Sequence, residues 1–232
     1  MPTFVALVVA AGEGTRFKRG ILKQYMPLGN KTVLSHTIAS VFADFVHAVQ
    51  VVIGKTHRAL YENSLTYLPK TVTAALLPPV NGGNRRQDSV RIGLENIESI
   101  NPDFVIIHDA CRPLATLPDL DVITQQLRHH SGVVPVLAPL DTISTVRNDT
   151  LGENIPRESI RIIQTPQIFR YRTILECHRT LFSICPQKHF TDDSSMLLSC
   201  GMSVSIIAGN HENFKITTYG DLARAECTLG NS

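Results

Sequence analysis

The residue types best suited to phosphate chemistry follow the first predicted strand. The string AAGEGTR begins at Ala10, and the cations Lys18, Arg19 and Lys23 come soon after it. Glycines allow backbone N–H groups to approach phosphate oxygens, and nearby cations neutralise the phosphate charge. The string lacks the third glycine of a dinucleotide fingerprint and the G-K-[ST] of a Walker loop. We interpret it as a phosphate-binding loop, with a plain tight turn as the alternative.

Two further polar strings follow later predicted strands. GGNRRQDS begins at Gly82, and HDACRP begins at His108. Ligands of open α/β sheets bind beyond the carboxyl ends of the strands, which is where such loops lie. We therefore expect the three loops to share one edge of the sheet and to form a single site.

The elements that must position these loops alternate between apolar strands and amphipathic helices. Strands are predicted at residues 4–9, 49–53, 72–77, 104–107, 132–137 and 204–207. Helices are predicted at residues 34–42, 87–97, 120–127, 174–182 and 221–229. The alternation predicts an α/β fold with a doubly wound, mostly parallel, Rossmann-like sheet. The length of 232 residues predicts a single domain over residues 1–232.

A polar stretch at residues 142–160 does not fit this alternation, because it is too long for an ordinary loop of a compact domain. The apolar residues Ile143, Val146 and Ile160 flank its polar centre. We expect a projecting arm at about residues 141–163, in the form of a hairpin that is buried against a second copy of the chain. A disordered insertion is the alternative.

The composition excludes several classes of protein. A net charge of +2 and the absence of tryptophan provide no surface suited to nucleic acid. Five cysteines without a C-x-x-C pair indicate a reducing compartment and no zinc site. No apolar run reaches the roughly 18 residues of a membrane span, and the first residues do not resemble a signal peptide. We expect a cytoplasmic protein that binds neither nucleic acid nor membrane.

Several motifs in register carry a resemblance to a known family. AAGEGTRF followed by LKQY is similar to the signature of the nucleotidyltransferases that make nucleoside-diphosphate sugars. With HDACRP, the Asp141-Thr142 pair, QTPQIF, TDDSS and NFKIT, the chain resembles the 2-C-methyl-D-erythritol 4-phosphate cytidylyltransferase family of the non-mevalonate isoprenoid pathway. Leu22 and Tyr219 stand where that family has prolines, and neither difference removes a charged group.

The resemblance implies that an acceptor phosphate oxygen attacks the α-phosphorus of CTP and expels pyrophosphate. It implies catalytic residues that bind and neutralise phosphate groups, namely Arg16, Lys23, Arg157 and Lys215. It also implies a group of small residues that bind CTP, namely Ala10, Ala11, Gly12, Gly14, Gly83, Asn84 and Ser89. Mg²⁺ is the implied cofactor, held mainly by phosphates and not by dedicated protein ligands.

The implied acceptor is a sugar-alcohol phosphate, which meets a second group of residues. That group comprises Asp109, Arg112, Thr142, Thr165 and Thr191. Thr142 and Arg157 lie on the predicted arm, so a homodimer formed through the arm would complete each site from two chains. The role of Asp109 stays open between contact with substrate hydroxyls and a water-mediated contact with Mg²⁺.

Plainer interpretations exist for several polar residues. Arg85 and Arg86 are equally consistent with a solvated pair and are left out of the predicted site. Asp192 and Asp193 are consistent with a helix N-terminus, and Thr191 with its N-cap. Two other functions also stay open: activation of another polyol phosphate, such as ribitol 5-phosphate, and a non-catalytic nucleotide-binding module.

Overall fold

A mixed sheet organises the chain in the computed structural model, which describes residues 2–13 and 22–230. The strands are β1 (Phe4–Ala10), β2 (Pro27–Leu28), β3 (Lys31–Thr32), β4 (Val46–Ile53), β5 (Val80–Asn81), β6 (Phe104–Asp109), β7 (Gly132–Leu137), β8 (Ile143–Arg147), β9 (Thr150–Ile155), β10 (Ile162–Ile163), β11 (Gln167–Arg170) and β12 (Val204–Ala208). The helices are α1 (Val33–Ser40), α2 (Arg58–Leu65), α3 (Lys70–Ala74), α4 (Arg86–Asn96), α5 (Leu120–Leu127), α6 (Tyr171–Ile184), α7 (Asp193–Ser199) and α8 (Tyr219–Gly230). None of the helices in this described part is long and apolar enough to cross a membrane.

The main sheet follows the path β10-β7-β11-β6-β1-β4-β5, and β12 pairs with β7. β1 lies between β4 and β6 and runs parallel to both. β11 runs antiparallel to its neighbours β6 and β7. The carboxyl ends of β1, β4 and β6 therefore meet at one edge of the sheet. The predicted α/β class with a mostly parallel sheet is confirmed.

Alternate residues of β1 bury their side chains on opposite faces of the sheet, because side chains alternate along a strand. Phe4 packs in one core with Ile38 of α1. Leu7 packs in a second core with Leu94 of α4. Helices thus cover both faces, which is the doubly wound arrangement and explains why the central strand β1 is apolar throughout.

Helix α4 lies unusually close to the sheet. A Cβ atom on Gly93 would come within 2.4 Å of a methyl carbon of Leu7 and 2.8 Å of a methyl carbon of Val52. Glycine is the residue that permits this approach, since any larger side chain would displace the sheet residues. The approach fixes the start of α4, at Arg86, near the carboxyl edge of the strands.

Two predicted elements differ from the observed ones. The predicted strand at residues 72–77 is wrong: its first three residues belong to helix α3, and Leu76 makes an isolated bridge to Val49. Short apolar runs do not distinguish strand from helix by periodicity, and here the strand that precedes the Gly82 loop is β5. Strand β11 has no counterpart in the prediction, because its four residues carry no alternation long enough to recognise.

The polar stretch forms a hairpin of β8 and β9. Arg147 pairs with Thr150, which leaves Asn148 and Asp149 as a two-residue turn with φ angles of 49° and 59°. Asparagine and aspartate tolerate this left-handed conformation, and such turns match the twist of a hairpin. Leu151 is 78% exposed on this hairpin. Its burial against a second copy stays a prediction.

Candidate active site

A cavity of about 750 Å³ opens at the carboxyl edge of the sheet, between the loops that follow β1, β4, β5 and β6. Most of the predicted site residues in the described ranges line it, namely Ala10, Ala11, Gly12, Lys23, Gly83, Asn84, Ser89, Asp109 and Lys215. The three predicted loops therefore do share one site, as the parallel strand ends require. The predicted residues Gly14 and Arg16 lie outside residues 2–13 and 22–230.

The backbone of the first loop is held by Gln24, which the sequence analysis quoted in a motif without giving it a role. Its Nε2 donates to the carbonyl oxygens of Ala10 at 2.8 Å and Gly12 at 2.9 Å. Gln24 is almost fully buried in a short 3₁₀ helix that also carries Lys23 into the cavity wall. The LKQY motif thus shapes the loop through its glutamine as well as supplying a cation.

The second loop is closed on itself by Ser89. The backbone N–H of Gly83 donates to Ser89 Oγ at 3.1 Å, and this hydroxyl donates in turn to Arg85 O at 3.2 Å. A Cβ atom on Gly82 would lie 2.4 Å from Ala11 Cβ, so the first and second loops touch. Small residues line the cavity at this point. The predicted recognition of a pyrimidine base by these residues stays a prediction.

A carboxylate with two cationic partners lies at the end of β6. Asp109 Oδ2 is 2.7 Å from Lys215 Nζ, and Asp109 Oδ1 is 2.9 Å from Arg86 Nε. Burial would raise the pKa of Asp109, but the charges of Arg86 and Lys215 outweigh it and hold this pKa well below its usual range. Asp109 is therefore an ionised acceptor of hydrogen bonds at neutral pH.

Long-range contacts bring Lys215 to this position. The backbone N–H of Ile216 donates to Cys111 O at 2.8 Å, and Arg112 Nη1 donates to Asn213 O at 2.7 Å. These bonds fasten the NFKIT segment to the HDACRP segment, although about 100 residues separate them. Two of the quoted motifs therefore form a single structural unit.

Arg86 is the main site residue that the sequence analysis missed. The solvated-pair interpretation is wrong for both arginines, because Arg85 also lines the cavity and pairs with Asp88 at 2.8 Å. Arg86 lines the cavity and pairs with Asp109 and with the fully buried Asp193. No local signal marks it, because Asp193 lies 107 residues away in the chain.

The start of α7 confirms the interpretation of Asp192 and Asp193 as a helix N-terminus but places the N-cap one residue later than predicted. Asp192 is the N-cap, and its side chain accepts a hydrogen bond from the backbone N–H of Ser195 at 3.2 Å. The suggestion of Thr191 as N-cap is therefore wrong. Burial would raise the pKa of Asp193, but Arg86 and His178 lower it, so that Asp193 is the charged partner of Arg86.

Thr165 and Arg112 lie behind the cavity and are not among its lining residues within the described part of the chain. Burial lowers the pKa of His108 to about 4, so its ring is neutral. Its Nε2 donates to Arg112 O at 3.0 Å, which leaves Nδ1 to accept from the Thr165 hydroxyl at 2.8 Å. Thr165 Oγ1 also accepts from the Asp109 N–H at 3.1 Å, and thus supports the carboxylate-bearing segment.

The remaining predicted acceptor residues lie at exposed positions. Thr142 and Arg157 are on the arm, and Arg157 Nη1 donates to Leu140 O at 2.9 Å. Thr191 is exposed just before α7. None of the three lines the cavity formed by the described residues. Their contact with the acceptor stays a prediction.

The loop after β4 was also missed. Gly54, Lys55, Thr56 and His57 all line the cavity. The Gly54 N–H donates to His57 Nδ1 at 3.2 Å, and the His57 ring packs edge-on against Tyr25 with 5.4 Å between ring centroids. The signal for this loop was available, because a glycine and a lysine directly follow a predicted strand.

The chain is similar to proteins of one family along almost its whole length. Residues 4–231 match the family model described as IspD: 2-C-methyl-D-erythritol 4-phosphate cytidylyltransferase. The chain belongs to the IspD family. The resemblance that the sequence motifs carry is confirmed at the level of this family.

Individual IspD relatives match with different coverage. The bifunctional enzyme IspD/IspF of Wolbachia pipientis wMel is 41% identical over 224 residues, which are 95% of this chain and 54% of that protein. The 2-C-methyl-D-erythritol 4-phosphate cytidylyltransferase of Neorickettsia sennetsu is 35% identical over 237 residues, 100% of this chain and 99% of that protein. The crystal structure of Francisella tularensis IspD superposes with a TM-score of 0.80 at 27% identity, covering 99% of this chain and 100% of that chain. The chain thus spans about half the length of the bifunctional relatives that it matches.

Proposed function

We propose that this chain is a cytidylyltransferase that joins CTP and 2-C-methyl-D-erythritol 4-phosphate, giving 4-diphosphocytidyl-2-C-methyl-D-erythritol and pyrophosphate for isoprenoid precursor synthesis. The observation that carries the proposal is the cavity in which a glycine loop, Lys23 and the Lys215–Asp109 pair converge. Two phosphorylated substrates repel each other, and a cavity lined by three lysines offsets that repulsion. Membership of the IspD family supports the choice of substrates.

The nucleotide half of the proposed site uses the first two loops. Gly12 and Lys23 bind the triphosphate, together with Gly14 and Arg16, which the sequence analysis assigned to the same task. The cytosine base lies against Gly83, Asn84 and Ser89, where small residues admit a pyrimidine and exclude a purine. Catalysis then consists mostly of positioning and charge stabilisation, since phosphoryl transfer needs little covalent work from the protein.

The acceptor half uses Lys215 and Asp109. Lys215 binds the acceptor phosphate and draws one of its oxygens towards the α-phosphorus of CTP. That oxygen forms the new P–O bond as the bond to pyrophosphate breaks. Asp109 stays ionised and accepts hydrogen bonds from the acceptor hydroxyls, which distinguishes a polyol phosphate from a bare phosphate.

Magnesium is the divalent cation that we propose for the reaction. Across residues 2–13 and 22–230, no three His, Cys, Asp or Glu side chains are grouped so that they could hold a metal ion. Both oxygens of Asp109 already contact cations. This donor set fits an ion bound through triphosphate oxygens and water, as Mg²⁺ prefers. When bound, Mg²⁺ supplies charge neutralisation on phosphates that Gly12 and Lys23 hold.

We further propose that the active form is a homodimer in which the arm of one chain reaches the cavity of its partner. Thr142 and Arg157 lie away from the cavity of their own chain, while the arm exposes Val146 and Leu151. A second copy would bury these apolar side chains and bring Arg157 to an acceptor phosphate. Each site would then use residues from two chains.

Pyrophosphate release with CTP and Mg²⁺ tests the proposed reaction. Purified chain is assayed in parallel with 2-C-methyl-D-erythritol 4-phosphate and with ribitol 5-phosphate, and UTP replaces CTP as the nucleotide control. We expect strong preference for the methylerythritol phosphate and for CTP. Equal rates with the two acceptors, activity with UTP only, or no turnover would each contradict the proposal.

A further inference from the structure

Arg86 joins two carboxylates that come from different elements. Its Nε donates to Asp109 Oδ1 at 2.9 Å, and its Nη1 donates to Asp193 Oδ2 at 2.8 Å. Asp193 is fully buried in the first turn of α7, and His178 Nε2 lies 3.2 Å from its other carboxylate oxygen. Arg86 is thereby anchored from behind, by α7 and α6, while it lines the cavity in front.

A carboxylate recognises hydroxyl groups well only when its plane is fixed. Each oxygen of Asp109 receives one N–H donor, from Arg86 or from Lys215, and retains capacity to accept another hydrogen bond. The planar guanidinium of arginine imposes a direction that a flexible ammonium group cannot impose. Asp109 can therefore still accept hydrogen bonds from a substrate, while its contact with Arg86 limits the orientation of the carboxylate.

We propose that Arg86, anchored by Asp193, is a positioning residue that orients the Asp109 carboxylate towards the hydroxyl groups of the acceptor. The inference rests on the proposed function and deepens it, because it assigns selectivity for the acceptor to a residue outside the predicted site. It requires that substitutions of Arg86 lower kcat/KM for the acceptor and leave KM for CTP nearly unchanged.

The charges around Asp109 give the proposal a pH signature. The charged and titratable groups that face it are Arg86 from α4, Lys215 from the segment after β12, and His108, Cys111 and Arg112 from its own segment. Without Arg86, burial still raises the pKa of Asp109 and one of the two lowering charges is gone. The pKa then rises, so the acid limb of kcat/KM for the acceptor moves to higher pH.

Steady-state kinetics of Arg86→Gln and Arg86→Lys test the proposal, with CTP and 2-C-methyl-D-erythritol 4-phosphate varied separately. For Arg86→Gln we expect kcat/KM for the acceptor to fall about ten- to hundredfold, as for loss of a charged hydrogen bond. KM for CTP should stay within about twofold of the wild-type value. Arg86→Lys keeps the charge without the fork, and should lose less and keep the wild-type acid limb.

The matched control is Arg91→Gln on the same helix. The Arg91 side chain is 19% exposed and pairs with Glu95, whereas that of Arg86 is 24% exposed. Arg91 does not line the cavity within the described part of the chain. Arg91→Gln should therefore keep both KM values. An acceptor-specific loss in this control would show that any change in α4 disturbs the site, and would overturn the proposal.

A double-mutant cycle separates positioning from direct contact. Arg86 Nη2 is buried and has no hydrogen-bond partner among residues 2–13 and 22–230, so direct contact with a substrate oxygen is the competing role. In the Asp109→Asn background, Arg86→Gln should reduce the acceptor kcat/KM only a little further, because the carboxylate it orients is gone. Additive losses, or a raised KM for CTP, would assign direct contact and overturn the proposal.

The fold and the stability of every variant are checked by circular dichroism and thermal melting. If Arg86→Gln does not fold, Arg86→Lys and Asp193→Asn carry the test. An acceptor-specific loss is expected from each, and the loss from Arg86→Lys is the one expected to be below about tenfold. A wild-type chain that neither binds nor converts 2-C-methyl-D-erythritol 4-phosphate overturns the proposed function and this inference together. An active wild-type enzyme whose folded variants keep the acceptor KM overturns this inference alone.

Discussion

The cavity and the arm place cationic side chains in opposite environments. At the cavity, Lys215 and Arg86 hold an ionised Asp109 through contacts between segments far apart in the sequence. On the arm, Thr142 and Arg157 are exposed, and Arg157 donates to a backbone carbonyl at the base of its own arm. At the cavity, Lys215 and Arg86 are therefore paired with a carboxylate, whereas on the arm the Arg157 side chain is exposed to solvent.

This difference indicates what each region needs in order to work. The cations of the cavity meet their partners within one chain, so their geometry is set when the chain folds. An exposed guanidinium contributes little to stability by itself, and the apolar side chains of Val146 and Leu151 on the same arm are exposed. The arm is therefore the region that, in the homodimer we propose, a second copy of the chain would cover.

The largest effect is expected from removal of the cavity lysine. Lys215→Ala should lower kcat by about a thousandfold, since in the proposed mechanism this charge lies where the two phosphates meet. Binding of CTP, measured by calorimetry, should persist, because the first two loops remain. Lys70→Ala, at the exposed start of α3, is the control. Loss of CTP binding in Lys215→Ala would mean that this lysine belongs to the nucleotide half.

The next largest effect is expected when two inactive variants are mixed. Arg157→Ala and Lys215→Ala, co-refolded in equal amounts, should recover about a quarter of wild-type activity, because half of the dimers are mixed and each has one intact site. Lys23→Ala mixed with Lys215→Ala should recover nothing, since both lysines serve the same chain's cavity. Absence of recovery in the first mixture would place Arg157 with its own chain and refute the shared site.

A moderate effect is expected from the glutamine that holds the first loop. Gln24→Ala removes the donors to Ala10 O and Gly12 O, so KM for CTP should rise about tenfold. KM for the acceptor should change much less, because Lys215 and Asp109 are untouched. Gln125→Ala, at an exposed position of α5, is the control. An equal rise in both KM values would show a general loss of structure instead of a loop effect.

The smallest effect concerns pH and the buried His108. Its pKa falls from about 6.5 unfolded to about 4 folded, so the unfolded state binds the proton first as the pH drops. Between pH 7 and 5.5 this site should cost about 1 kcal/mol of stability. His108→Gln should lose less stability over that interval, measured by urea unfolding, while His129→Gln at an exposed site should behave as wild type. Equal slopes for wild type and His108→Gln would show that this histidine is not buried neutral.

Much of the fold was predictable because its signals are local. The bounds of β7 and α5 were predicted to the residue, since each is a short apolar or amphipathic run between polar turns. The glycine loop and the HDACRP loop were also predictable, because parallel strands place their following loops at one edge. The segment of α3 was mispredicted because a short apolar run is compatible with either element.

Local sequence patterns were enough to predict the alternation of strands and helices, the family, and three of the loops that line the cavity. The tertiary structure was needed to show that β11 runs antiparallel between β6 and β7. It was also needed to show that Arg86 forms ion pairs with Asp109 and Asp193. These features depend on contacts between residues up to 107 positions apart. Burial and charge pairing of that kind arise when distant segments pack, and no local pattern records which partner a side chain will meet.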